Sequence, residues 1–276
     1  MIIGVLSKYG VEFLASSYRS FIFTNINHTL QSDSAMAVEF IAKRLEYRIK
    51  DSVIARKQDG TFSSLGSLDS SSTQAYTVLE WVGKDIEGFR GTSVPYWSGV
   101  TDIDAGSSSL LVSPQTNTED INTLITILSN SLSGVDDAAL YFIGSNNDIV
   151  TGYGWDGNIS TIQTQNGAMH PISSVLGVGN ENQFTPDYTN FVSVSEYYIL
   201  SWSAYAIVYD DGNLTLHSDY QPWEGESYTD ATQQNLLMEN VDTFQFMSSG
   251  SLIKIQVCVN SKVAEKYSLC KEKTIY

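Results

Sequence analysis

MIIGVLSKYGVEFLASSYRSFIFTNINHTLQSDSAMAVEFIAKRLEYRIKDSVIARK, Met1 to Lys57, is the stretch on which the fold turns. It contains no proline, its only glycines are Gly4 and Gly10, and no turn cluster interrupts it before Gln58-Asp59-Gly60. Large apolar residues recur in steps of three and four through Val5, Leu6, Tyr9, Phe13, Leu14, Tyr18, Phe21, Ile22, Ile26 and Leu30. That is helical spacing. Met36, Ala37, Phe40, Ile41, Leu45, Ile49 and Val53 repeat the pattern, opposed by Glu39, Lys43, Arg44, Glu46, Lys50 and Asp51. The spacing predicts one long helix over residues 1–57. Residues 35–57 would pack on a head, with Phe40, Ile41, Leu45, Ile49 and Val53 as the contact face. Thr24 to Ser34 is polar and a poor helix former, which marks a bend between the halves.

Beyond Gly60 the chain breaks into short β-type runs separated by Gly, Ser, Asn and Asp, so residues 58–276 read as a β-rich globular head. The expected strands are Ala75 to Val82, Ala138 to Ile143 and Tyr197 to Val208, the last being the strongest signal. Two hairpins follow, one across Asp210-Asp-Gly-Asn213 and one joining Val241–Met247 to Leu252–Val259 across Ser248-Ser-Gly250. Asn117 to Leu132 reads as a covering helix, with Asn117 as N-cap and Ile121, Leu124, Ile125, Leu128 and Leu132 on one face. The fold class is therefore α+β: a long N-terminal helix on an antiparallel head with one additional covering helix.

Composition narrows the function. The net charge of -16 argues against a nucleic-acid surface, which needs clustered Lys and Arg. Asp102, Asp104 and Gly106 alternate as in an oxygen-ligand loop, but calcium needs about six to eight oxygens. A turn is the preferred reading, and no metal or cofactor is expected. The chain has only His28, His170 and His217, with no H-E-x-x-H, no G-x-S-x-G and no phosphate-binding glycine loop, so no catalytic residue is assigned. Trp97, Trp155, Trp223 and Tyr228 fall in turn-rich regions, where aromatics either plug a core edge or form a ligand platform. Cys258 and Cys270 would close a short loop in an oxidising compartment, or stay as two buried thiols. Lys8, Glu12 and Arg19 interrupt the first apolar run too early for a membrane span.

Ile2-Ile-Gly-Val-Leu6 at the head of a long helix, the Tyr197–Val208 run, Tyr220-Gln-Pro-Trp-Glu-Gly225, Asn240-Val-Asp-Thr-Phe-Gln-Phe246 and the cysteine pair occur here in one order. In this combination the chain resembles a minor pilin-like subunit, most closely the J-type minor pseudopilins of type II secretion and the W-type minor pilins. Val38–Arg56 and Leu269-Cys-Lys-Glu-Lys273 resemble the epsilonproteobacterial version of these. The resemblance implies a pilin-like fold and a structural role. Residues 1–30 would be the membrane and assembly half, with Val5, Leu6, Tyr9, Phe13, Leu14, Phe21 and Ile22 packing between subunits. It implies a Cys258–Cys270 disulfide, an inner-membrane anchor and a periplasmic head. The implied partners are I-type and K-type minor pseudopilins in a tip complex, the major pseudopilin, and a secreted substrate or outer-membrane channel.

The family's basic leader, cleavage site and Phe-Thr-Leu-Ile-Glu-Leu segment have no counterpart before Ile2-Ile-Gly-Val-Leu6. The expectation is a start assigned too late, a shortened chain or a degenerate copy. Such a chain should fold, yet stay outside membrane and filament until the apolar turns are restored. The alternative is an exported adhesin-like subunit that binds through its aromatic-rich loops.

Overall fold

The computed structural model describes residues 2–68, 75–145, 148–175, 177–260 and 268–276, with side chains from Tyr9 onward. In chain order the elements are α1 (Ile2–Glu46), β1 (Ile54–Arg56), β2 (Phe62–Ser64), β3 (Val78–Val82) and α2 (Ile86–Arg90). Next come β4 (Asp102–Ser107), β5 (Leu110–Val112), α3 (Thr118–Leu128), β6 (Ala139–Phe142), α4 (Ser160–Gln163), β7 (Met169–Ser174) and β8 (Gln183–Pro186). The chain ends with β9 (Tyr198–Ser201), β10 (Ala204–Asp210), β11 (Asn213–Ser218), β12 (Gln233–Met238), β13 (Val241–Ser249), β14 (Leu252–Asn260) and β15 (Ser268–Ile275).

The described strands form three antiparallel sheets, ordered β12-β11-β10-β3-β1-β2, β13-β14-β15 and β4-β5-β8-β7-β6-β9. The class is thus α+β, with a long N-terminal helix and mostly sheet behind it. Ala37, Val38, Ile41, Ala42 and Leu45 of α1 enter a core shared with both of the first two sheets. Leu79, Trp81, Ile207 and Leu214 come from one, and Phe244, Phe246, Ile255 and Val257 from the other. A second cluster surrounds Tyr153, Trp155, Tyr220 and Trp223. A third, around Trp97, Phe142, Phe184 and Leu200, is covered by Ile121 and Ile125 of α3.

Several expectations need correction. The helix ends at Glu46 rather than Lys57. Its chain is diverted because the Ile49 N–H donates to Val82 O at 2.9 Å, and Ser52 Oγ, itself bonded to Ile49 O, accepts from Val82 N–H. Ile54–Arg56 then inserts as a strand between β2 and β3, where β-branched residues pack well. The Tyr197–Val208 run is not one strand: β9 pairs with β6 in one sheet, and β10 pairs with β3 and β11 in another. Ser203 makes the break, its Oγ accepting from Asp219 N–H at 2.8 Å while its carbonyl takes the Gly83 N–H. A continuous apolar run carries no mark of such a change of sheet.

The covering helix α3 starts at its expected cap, Asn117 Oδ1 accepting from the Glu119 and Asp120 N–H groups. It stops at Leu128, because Asn130 and Ser131 turn left-handed (φ 56° and 68°) and leave Leu132 exposed. Helices α2 and α4, of five and four residues, were not expected. Asp102 and Asp104 lie in the exposed, irregular edge strand β4 rather than in a turn. Both hairpins form as read. Asp211 and Gly212 adopt positive φ between β10 and β11, and Gly250 turns β13 into β14.

Candidate assembly surface

At 1.5 Å per residue α1 is roughly 68 Å long, and its two ends meet different surroundings. Tyr9, Phe13, Leu14, Tyr18 and Phe21 are each about two-thirds exposed. Ile22, Ile26 and Leu30 are half-buried, and Leu30 is the first to touch the head core. The side chains of Val5 and Leu6 lie outside the described residues. Helical geometry puts Val11, Leu14, Tyr18 and Phe21 within a stripe of roughly 80°, while Tyr9 and Phe13 fall on the opposite side. The exposed half is therefore apolar on more than one side. No helix among the described residues is long and apolar enough to cross a membrane.

The expected bend between the halves does not interrupt α1. Thr29 Oγ1 donates to Asn25 O at 3.1 Å, and the buried Ser34 Oγ to Leu30 O at 2.6 Å. These polar side chains answer the helix's own carbonyls and leave it continuous.

The packed half is gripped along its length. Ile41 and Leu45 have no exposed surface, as expected of head-packing residues. Ile49 and Val53 are buried too, but they belong to the turn after the helix. Phe40, expected in the same face, is 38% exposed and sits at a groove rim with the Arg44 guanidinium 5.7 Å from its ring. Arg44 also covers Tyr205 and pairs loosely with Glu87 at 3.8 Å. Glu39 meets Lys273 of β15 at 2.8 Å, a hydrogen bond and charge that hold its carboxyl below the ordinary range. Arg48 locks the helix end by donating to Leu45 O and to Ser251 O in the β13–β14 hairpin.

Cys258 and Cys270 are disulfide-bonded across directly paired positions of β14 and β15. Both strands carry α1, so the bond staples the last strand to the surface on which the helix rests. The loop between them, residues 261–267, lies outside the described residues.

The other residues singled out by sequence are mostly interior. Trp97, Trp155 and Trp223 are buried and Tyr228 is half-buried, so the tryptophans form no exposed platform. Trp97 Nε1 donates to Asp85, whose carboxyl is pushed up to about 6, chiefly by burial. Trp223 Nε1 donates to Asp137 O at 3.1 Å. Gly154, at φ 84°, lets the Tyr153–Trp155 loop lie against Pro222, where a Cβ would stand 2.0 Å from the Pro222 carbonyl oxygen. His28 is exposed on α1. His170 is buried beside Phe142 and Gln165, and burial pushes it down to about 4. His217 bonds the Tyr228 carbonyl. The described residues contain no group of three or more side chains suited to a metal.

Sequence reading missed a buried polar knot. Glu80 is fully buried in β3, bonded to Arg56 Nε and, at 3.2 Å, to the Tyr220 hydroxyl. Arg56 also donates to Trp155 O at 2.8 Å and Gly60 O at 3.0 Å, so it ties two sheet strands to two loops. Burial pushes Glu80 up while Arg56 and Tyr220 oppose the shift. A lone Glu within the apolar run Val78-Leu-Glu-Trp-Val82 was the available signal.

Comparison with protein-family models, with curated proteins and with solved structures returns no match to this chain.

Proposed function

We propose that this chain is a structural, non-catalytic subunit of pilin-like type, a minor pseudopilin of a type II secretion or type IV pilus or competence-like system. The single observation that carries this reading is α1 itself. One half is fixed into the head, and the other presents Phe13, Leu14, Tyr18 and Phe21 to solvent. Exposed apolar surface of this extent, the Val11, Leu14, Tyr18 and Phe21 stripe above all, marks an interaction site. A helix that is apolar on several sides suits burial among several neighbouring helices, as in a filament or a tip complex with other minor pseudopilins. The β head, stapled by a disulfide suited to an oxidising compartment, would face the periplasm and meet a secreted substrate or channel. Anchoring in the inner membrane through the helix belongs to the same proposal.

The test is capture by co-expressed pilin-like subunits encoded beside this gene of the chain extended at its N-terminus by apolar helical turns of the family's kind, with and without Phe13→Ser, Leu14→Ser and Phe21→Ser combined. Each large apolar side chain is worth about 1.5–3 kcal/mol when fully buried. The triple variant should therefore lose capture by roughly tenfold or more while the head melts as in the parent. Equal capture of both, or no capture of the extended parent, would overturn the reading.

A further inference from the structure

Beside the C-terminal end of α1, four segments far apart in sequence enclose a cleft of about 530 Å³. The turn after the helix contributes Arg48, Lys50 and Asp51, the end of β2 contributes Ser64, the loop after β6 contributes Ile149, and the β13–β14 hairpin contributes Ser248 and Ser251. Arg48 is the unusual member. It is only 7% exposed, and its Nη1 and Nη2 donate to two neutral carbonyls, Leu45 O at 2.6 Å and Ser251 O at 3.0 Å. It forms no ion pair with a described carboxylate, and burial alone shifts it, downward. Its buried Nε–H has no acceptor among the described residues.

A guanidinium carries about five N–H donors, of which these two bonds use only part. The carbonyl end of α1 offsets roughly half a charge at most. A cation buried to this degree is costly without an anion. Asp51 lines the same cleft, but its carboxylate accepts from the Tyr141 hydroxyl at 3.4 Å and does not pair with Arg48.

We infer that this cleft binds a carboxylate group, with the Arg48 guanidinium as its fork and the Lys50 ammonium as its second cation. Among the described lining residues, two cations against the one carboxylate of Asp51 leave a single positive charge, which matches a monoanion better than a phosphate dianion. The planar guanidinium also suits the two oxygens of a carboxylate. The carboxylate belongs either to an acidic peptide or to a small organic acid. The site is separate from the exposed half of α1, so the inference stands or falls independently of the assembly role.

The test is a titration of the ¹⁵N-labelled protein followed at the Arg48 Nε–Hε resonance and at the backbone amides of Lys50, Asp51 and Ser251, which line the same cleft. The titrants are sodium acetate, the blocked peptide N-acetyl-Gly-Asp-Gly-amide and sodium phosphate, each against sodium chloride of matched ionic strength. A saturable shift with acetate or peptide, and none with chloride, is expected. Tighter binding of the peptide assigns a protein partner, and tighter binding of acetate a small acid. Lys50→Gln should weaken the carboxylate by roughly two- to fivefold, the scale of one exposed ion pair, whereas Lys254→Gln, outside the cleft, should not. Arg48→Lys, which keeps the charge and loses the fork, should abolish the saturable response of the backbone amides of residues 50, 51 and 251; if that variant does not fold, Lys50→Gln decides. Shifts shared with chloride, a response to phosphate alone, or equal losses in both lysine variants would overturn the assignment.

Discussion

The two halves of α1 are built from similar apolar residues and meet opposite fates. From Ala37 to Leu45 the helix buries its stripe between two sheets, and from Tyr9 to Phe21 it buries almost nothing. The difference is in what surrounds each half and in how polar residues are placed. In the packed half the charges sit on one side, where Glu39 and Arg44 reach Lys273 and Glu87. In the exposed half Tyr9 and Phe13 lie opposite Leu14 and Phe21, which no single sheet face could cover. Apolar content alone therefore does not distinguish a core helix from a surface awaiting partners; the angular spread of the apolar residues does.

The comparison breaks most sharply at Leu45. Leu45→Ala should destabilise the head by about 2–5 kcal/mol, the cost of a lost side chain plus its cavity. Urea unfolding followed by tryptophan fluorescence measures it. A loss under about 1 kcal/mol would mean that the helix end is not integral to the head. Next comes the staple under the same half. Replacing Cys258 and Cys270 together by Ser should cost about 3 kcal/mol on the chain-entropy estimate for a loop of this size. The loss should appear as early release of β15 and of the α1 residues above it in amide exchange. Uniform destabilisation without that local signature would separate the disulfide from the support of the helix.

Acid sharpens the comparison further, since only the packed half depends on the head. His170 is held at about 4 in the fold, below its ordinary value of 6.5. The unfolded chain then binds the extra proton first. The stability it contributes is complete above about pH 6.5 and is lost as pH falls toward 4. Asp85, raised to about 6, works the other way and is relieved by acid over much the same range. A pH profile of the parent would blend the two. His170→Asn isolates the first: its stability deficit relative to the parent should shrink by about 2–3 kcal/mol between pH 7 and pH 4. A deficit that stays constant with pH would show that His170 is not held neutral by burial.

Sequence made the helix, the hairpins and the cap at Asn117 legible because each rests on local chemistry: a 3.6-residue period, an Asp-Gly pair with positive φ, a side chain that accepts from two N–H groups. The points where it misled are tertiary. Nothing local to Glu46 ends the helix; Val82 does so by taking Ile49 into its sheet. The strands β9 and β10 read as one because both are apolar, and their division depends on Ser203 meeting Asp219. Phe40 carries the right period but falls at the rim, beside Arg44. The candidate surface was legible as an apolar periodic run. That it stays uncovered is a property of the rest of the fold, and so is the isolation of Arg48.

The smallest effect on stability tests the comparison most severely. Phe13→Ser with Phe21→Ser removes two large apolar side chains, yet both are already about 70% exposed, so little apolar surface leaves or enters water on folding. Surface changes of this kind fall within about 0.5 kcal/mol. Serine is a somewhat weaker helix former than leucine or alanine, but close to phenylalanine, so propensity adds little. The doubly substituted chain should therefore unfold at the same urea midpoint as the parent, while its dispersion in aqueous buffer improves and its capture by neighbouring subunits falls. Amides of residues 9–23, lacking tertiary cover, should exchange much faster than those of 37–45 in both proteins. If the double substitution instead lowered the midpoint by more than about 1 kcal/mol, the outer half would be packed on its own head, and the division of α1 into a gripped and a presented half would be wrong.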